Sequence, residues 1–383
     1  MNNRQRIMAA LNYQPYDRLP ILHFGFWGET LQKWIDEGHL KAEEAQGWGD
    51  GNPVDAVLSA KLGFDSNYYS AFHPNTGLIP TFETRIVKEF ADGTQHVMNF
   101  YGVVELHSPG AGSIPAEIDH LFKGRMEWED LYLPKLQFDT DRVMKSQMRV
   151  NDTTMQFDKG GMEFLQKDDR DYMYGIHCGS LYGTIRNYIG IENLCYLVAD
   201  DEELLEEVIN VNAELCYQAV KTTLETGAKF DFGHFWEDIC YKNGPLVTPS
   251  FFMEKVGPHY KRITDLLKSY DINIVSLDCD GMIDALIPTW FENGVNTMFP
   301  IEVGTWDANI APWRAKYGKE LRGVGGMNKV VFAHDRAAID AEIERLRPLI
   351  ELGGFIPCPD HRIAPDAEFD NVRYYCDRLR DMF

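Results

Sequence analysis

Apolar positions near the start of the chain recur at helical spacing: Ile7, Met8 and Leu11 predict a helix over Asn3–Leu11, with Pro15 and Pro20 barring its continuation. Residues 29–37 place Leu31, Trp34 and Ile35 on one helical face ahead of Gly38, a natural C-terminal stop. The period shortens over 82–107. There, TRIVKEFADGTQHVMNFYGVVEL is rich in β-branched and aromatic residues, and Asp92-Gly93 marks the turn of an antiparallel β-hairpin insertion. From about residue 170 short apolar runs alternate with amphipathic stretches. YMYGIHC, KFDFGHFW, INIVSLDCDG, NTMFPIE, LRGVGGMN and GGFIPCPDH read as strands, divided by helices over 201–226, 250–270, 282–293, 310–317 and 337–352. Such alternation means parallel βαβ units of an α/β protein, and the number of units favours a (β/α)8 TIM-type barrel. An open doubly wound sheet is the alternative.

Composition narrows this picture. A chain of 383 residues with 44% hydrophobic and 13% aromatic content can fill one large core, so residues 1–383 are read as a single barrel domain. Lys and Arg total 37 against 59 Asp and Glu, a net charge of −22, which argues against nucleic acid or an anionic membrane surface as partner. No apolar run approaches the roughly 20 residues needed to span a bilayer, and the first residues lack the apolar core of a secretion signal. A cytoplasmic protein is the expectation. Its seven cysteines are scattered, without a C-x-x-C pair, as befits free thiols.

Candidate chemistry collects at the strand ends, where barrels of this kind carry function. These ends read His177-Cys178, His234 with Glu237-Asp238, Asp278-Cys279-Asp280, Glu302, Gly325-Gly326 with Asn328, and Asp360-His361. Carboxylates and imidazoles gathered on one rim need compensation, which a divalent cation supplies. Asp280, Glu302 and His361 are the candidate metal ligands, with Glu237 or Asp278 as a fourth. The nitrogen and oxygen donors suit Zn²⁺ and would also hold Fe²⁺ or Mn²⁺. The plainer alternative is a set of solvated loop carboxylates and a capping histidine. Glu237 and His177 are candidate acid–base groups, and His234, Asp278 and Cys279 candidate substrate contacts. Each histidine can equally orient a loop, and Cys279 or Cys358 can be a small buried hydrophobe. Phe24, Trp27, Tyr182 and Trp306 are candidates for the wall of a pocket for a planar ligand, in a set of aromatics of which many must be core. GVGGMN is not G-x-G-x-x-G, and neither a Walker-type nor an H-E-x-x-H pattern occurs.

Taken in order, NRQRIMAALNYQPYDRLP, FWGETLQKWIDEG, WEDICYKNGPLVTPSFF, LDCDG, GVNTMFPIE, GVGGMNK and GGFIPCPDH resemble the uroporphyrinogen decarboxylase superfamily. The resemblance implies a (β/α)8 barrel along almost the whole chain. It also implies one of several activities: porphyrinogen decarboxylation, coenzyme M methylation, or methyl transfer to corrinoid proteins. The decarboxylases carry an R-Q-A-G-R-Y segment that binds propionates. Here the region reads HFGFWGETLQKW, with no arginine between Arg18 and Arg85, so a poly-anionic porphyrinogen lacks its clamp. The coenzyme M enzymes hold zinc by an H-x-C pair and a later cysteine. Those positions fall on Asp278, Asp280 and the neighbourhood of His361, which are harder donors suited to an oxygen substrate.

The branch most similar is the substrate:corrinoid methyltransferase of demethylating systems. It implies a small, methoxylated aromatic or related methyl donor, a zinc site, and a corrinoid carried by a partner protein, since no D-x-H-x-x-G sequence occurs here. A homodimer is also compatible with this reading. The alternatives are a decarboxylase or lyase acting on a small acid, and a non-catalytic ligand-binding relative.

Overall fold

The computed structural model describes residues 1–110 and 115–383. Its strands in chain order begin with β1 (Leu22–His23), β2 (Ser66–Asn67) and β3 (Ala71–Phe72). An antiparallel set follows, β4 (Arg85–Glu89), β5 (Gln95–Met98), β6 (Val103–His107) and β7 (Ala116–His120), then a hairpin of β8 (Gln147–Val150) and β9 (Thr153–Gln156). After β10 (Gly175–His177) and β11 (Gly233–Trp236) comes a short hairpin of β12 (Cys240–Tyr241) and β13 (Gly244–Pro245). The last four are β14 (Val275–Asp278), β15 (Thr297–Phe299), β16 (Arg322–Met327) and β17 (Phe355–Pro359).

Seven strands pair in the order β17-β16-β15-β14-β11-β10-β3, and the pairings within that sheet are parallel. β1 pairs in parallel with β2. β2 and β3 together fill one barrel position: the Tyr68 N–H donates to the His23 carbonyl and the Gly175 N–H to the Ser70 carbonyl, each at 2.9 Å. The ring closes where Phe26 bridges Ile363 in parallel. There the Trp27 N–H donates to the Ile363 carbonyl and the Ile363 N–H to the Gly25 carbonyl, each at 3.1 Å. The architecture is a (β/α)8 barrel.

Strand alternation divides the core in two. Phe232, Ile274, Phe299, Val324, Ile356 and Cys358 fill the barrel interior, whereas Phe235, Val275, Leu277 and Met298 pack outward against helices. The helix Asn3–Leu11 plugs the N-terminal end. Asn2 and Gln5 form a reciprocal cap at its start, and Ile7, Ala10 and Leu11 join the interior cluster. Its last carbonyls tie it to the strands: Ala10 accepts from the Gly354 N–H at 3.1 Å and Leu11 from Arg322 Nε at 2.8 Å. The opposite end stays open as a mouth lined by the strands' C-terminal residues.

Three expectations change. The insertion, expected as a hairpin over 82–107, is a four-stranded meander in the order β4-β5-β6-β7 that continues through β7. The predicted helix over 250–270 is two, Pro249–Lys255 and Gly257–Ser269, since Pro258 has no N–H to continue the first and clashes with the preceding turn. The helix predicted over 282–293 is confined to Ile287–Glu292. Among the described residues no helix is long and apolar enough to cross a membrane.

Candidate active site

β11 and β14 share one inward parity, which decides what their ends present. His234 and Ser276 meet inside the barrel, Nδ1 to Oγ at 2.6 Å. Counting by twos from this pair brings Asp238, Asp278 and Asp280 to the mouth, and their carboxylates offer oxygens all within 4.8 Å of one another. Asp238 adopts φ +49°, the left-handed region uncommon for a residue with a Cβ, and its Oδ1 accepts the Asp280 N–H at 3.0 Å. Asp278 accepts the Tyr69 hydroxyl at 2.7 Å. Crowding of like charges makes ionisation costly. Burial and then the charge of Asp280 push Asp238 up to about 7, and burial followed by the charges of Asp238 and Asp280 holds Asp278 well above the usual carboxylate range.

Other strand ends bring His361 and Glu302 beside this centre. His361 Nε2 lies 3.2 Å from Asp280 Oδ2, while its buried Nδ1 has no partner. Its ring stacks on Trp27 at 5.7 Å and meets Phe24 edge-on at 5.5 Å. Glu302 accepts the Gly281 N–H at 2.5 Å and the Thr305 hydroxyl at 2.9 Å, and burial followed by the Asp280 charge raises its pKa. Gly281 is required here. It adopts φ +86°, and a Cβ would stand 2.5 Å from the Cys240 carbonyl oxygen. Arg362 contributes a guanidinium, but it is bound to Asp50 at 2.6 and 3.2 Å.

On the adjoining wall, His177 follows His234 at a ring distance of 5.8 Å, and His73 stacks on His177 at 4.4 Å. Burial, followed by repulsion from neighbouring imidazoles, pushes the His177 pKa well below its ordinary value, and burial lowers that of His234 to about 3. Both rings are therefore neutral at pH 7.

Odd parity takes other sequence candidates away from the mouth. Glu237 is fully buried in the helix layer, where it accepts the Leu181, Tyr182 and Gly183 N–H groups at 2.8, 2.9 and 2.7 Å, the Ser180 hydroxyl at 3.1 Å and the Tyr260 hydroxyl. Burial raises its pKa and those donors pull it back. Cys279 lies between the two aspartates but faces outward, accepting the Ile239 N–H at 3.4 Å. Burial pushes its thiol well up. Cys358 is buried inside the barrel. Tyr182 is buried in the helix layer, edge-on to Phe252 at 5.9 Å, and so forms core, while the partly buried Trp306 packs against Trp313 at 6.0 Å.

The sequence reading left Asp238 and His73 without roles and placed Tyr69 only among the aromatics of a pocket for a planar ligand. A strand-closing polar residue before Pro74 was the available signal for His73. For Asp238 it was the spacing of four from His234, usable only once one inward residue is known.

A family model for uroporphyrinogen decarboxylase (URO-D) matches residues 181–382, more than half of the chain. Among solved structures, a methyltransferase from Methanosarcina mazei is similar at a TM-score of 0.60 and 15% identity, covering 100% of this chain and 98% of that one. A Listeria monocytogenes protein described as a vitamin-B12-independent methionine synthase gives a TM-score of 0.41 and 12% identity, over 96% of this chain and 99% of that one. No curated protein matches. With the barrel in place and the match running from the 181–183 turn almost to the C-terminus, the chain belongs to the uroporphyrinogen decarboxylase family.

Proposed function

We propose that this protein is a cytoplasmic, metal-dependent methyltransferase that moves a methyl group from a small donor, a methoxylated aromatic or related compound, to the corrinoid of a partner protein. The observation that carries this reading is the convergence of Asp238, Asp278 and Asp280 with His361 at an aromatic-walled barrel mouth. Among the described residues, His361 is the only basic side chain within ion-pair distance of the three carboxylates. A set of like charges without a fixed cation, beside an imidazole whose buried Nδ1 is unpartnered, fits a divalent ion. Asp238, Asp278, Asp280 and His361 would hold it, with Glu302 in reserve. Zn²⁺ is the first candidate, and the oxygen-rich set also suits Fe²⁺ or Mn²⁺.

A bound divalent ion would supply Lewis acidity to the donor's ether oxygen, offsetting charge on a poor leaving group. The chain's own residues do the remaining work. Tyr69 fixes Asp278 through its hydroxyl, and Glu302 fixes the Asp280-Gly281 turn. Trp27 and Phe24 hold the His361 ring and keep water from that side of the ligand. We assign Glu237 to positioning, since its carboxylate anchors the 181–183 turn, and His177 to ligand binding, since Tyr69 and His234 intervene between it and Asp278.

A lyase reading has one observation in its favour: carboxylates this close can share protons, and the Asp278–Tyr69 pair then offers an acid with no metal at all. Elemental analysis separates the two. Purified wild type should carry about one divalent ion per chain, and Asp238→Ala, Asp280→Ala and His361→Ala should lose it while keeping a native circular dichroism spectrum. Loaded enzyme should then methylate a reduced corrinoid protein from a methoxylated aromatic. Absence of bound metal after reconstitution, or activity indifferent to chelation, would overturn the methyltransferase reading and leave the lyase.

A further inference from the structure

The mouth has two chemically distinct sides. Carboxylates follow the ends of β11 and β14, while His73 and His177 stand at the ends of β3 and β10, with His234 one layer deeper inside the barrel beneath them. Among the described residues, none of these three imidazoles has a carboxylate within ion-pair distance, and the nearby guanidinium of Arg362 is committed to Asp50.

Their hydrogen bonds are half made. His177 Nδ1 accepts the Gly179 N–H at 3.1 Å, which fixes the neutral ring's proton on Nε2 as a donor. His234 uses Nδ1 on Ser276, and its fully buried Nε2 has no partner. That Nε2 is left available to a group entering from the mouth.

A continuous path of rings connects this side to the acidic centre. It runs from His361 to Phe24 at 5.5 Å, to Tyr69 at 6.3 Å, to His234 at 5.0 Å, to His177 at 5.8 Å and to His73 at 4.4 Å. Planar ligands pack on such walls.

We infer that the wall of His73, His177 and His234 is a subsite for the carboxylate of an aromatic ligand whose reacting end lies at the acidic centre. The inference rests on reading that centre as the place of reaction. A carboxylate only accepts hydrogen bonds, which matches the free Nε2–H of His177, and the histidine wall adds no carboxylate to the crowd of Asp238, Asp278, Asp280 and Glu302 opposite. The two sides therefore orient a ligand that carries an anionic group at one end of a flat ring.

Calorimetric titration of the full chain with benzoate and with benzyl alcohol, before and after metal loading, tests this. Benzoate should bind at least tenfold more tightly than the alcohol. His73→Phe and His177→Phe should abolish that preference, and Asp280→Ala should retain it. His73 is solvent-exposed, so its replacement leaves the core intact. Equal binding of the two probes, binding of neither at millimolar concentration, or a preference that survives in folded histidine variants would overturn the subsite. Metal content and methyl transfer are separate readouts, so failure of the acidic centre would be seen independently.

Discussion

Replacing Glu237 by Gln would turn one of its two oxygens into an amide nitrogen facing backbone N–H donors. One buried donor would then lack an acceptor, a penalty of about 1–3 kcal/mol. Glu237→Gln should therefore lower the unfolding free energy by that much, seen as a lower urea midpoint at unchanged m value, with metal content retained. Lost turnover at full stability would instead place Glu237 in the chemistry. Its neighbour Asp238 gives a pH test. A carboxyl raised to about 7 still holds its proton below that pH, and an incoming cation must displace it. Metal affinity should fall as pH drops from about 8 to 6, by up to about tenfold per unit for each proton displaced. Chelator competition across that range measures it, and a flat profile would remove Asp238 from the ligand set. Residue identity announced acidic strand ends at both positions. It did not say that Glu237 faces the helix layer while Asp238 faces the mouth, because consecutive residues on a strand point to opposite sides and the absolute parity comes from the barrel.

Among the elements, the first helix does the least visible work and reaches the furthest. It contributes Leu11, fully buried, to the barrel interior and binds the starts of β16 and β17 through Leu11 and Ala10. Leu11→Ala removes buried methyl groups and opens a cavity, for an expected cost of about 2–5 kcal/mol by chemical denaturation. Metal stoichiometry should be unchanged, since this plug lies at the end of the barrel remote from the carboxylates. Loss of metal in a folded variant would show that the two ends are coupled. The helix was legible in sequence because its apolar period and the prolines beyond it agree, and the structure adds the Asn2 and Gln5 cap. The break at Val256-Gly257-Pro258 and the meander's last strand were less so. The first depends on how a proline is tolerated by neighbours distant in sequence, and the second on pairing with β6.

For the whole molecule, reading residues 1–383 as one unit carries its own prediction. Far-UV circular dichroism and the fluorescence of the eight tryptophans should report one coincident unfolding transition. A separate early phase would instead mark the β4–β7 meander as an independent unit. Under the proposed function, the surplus of negative charge, −22 overall, also predicts that the corrinoid protein would present a basic face, with association weakening as salt rises. By itself the sequence determined the alternation of strands and helices, the barrel class and the clustering of carboxylates and imidazoles at strand ends, because these follow from local periodicity and from where polar residues interrupt apolar runs. Only the tertiary structure decided the membership of the site. Barrel closure sets which face of each strand looks inward, so it admitted Asp238, Tyr69 and His73 and turned Cys279 and Tyr182 away. That choice depends on register between strands far apart in the chain, which residue spacing along one segment does not encode.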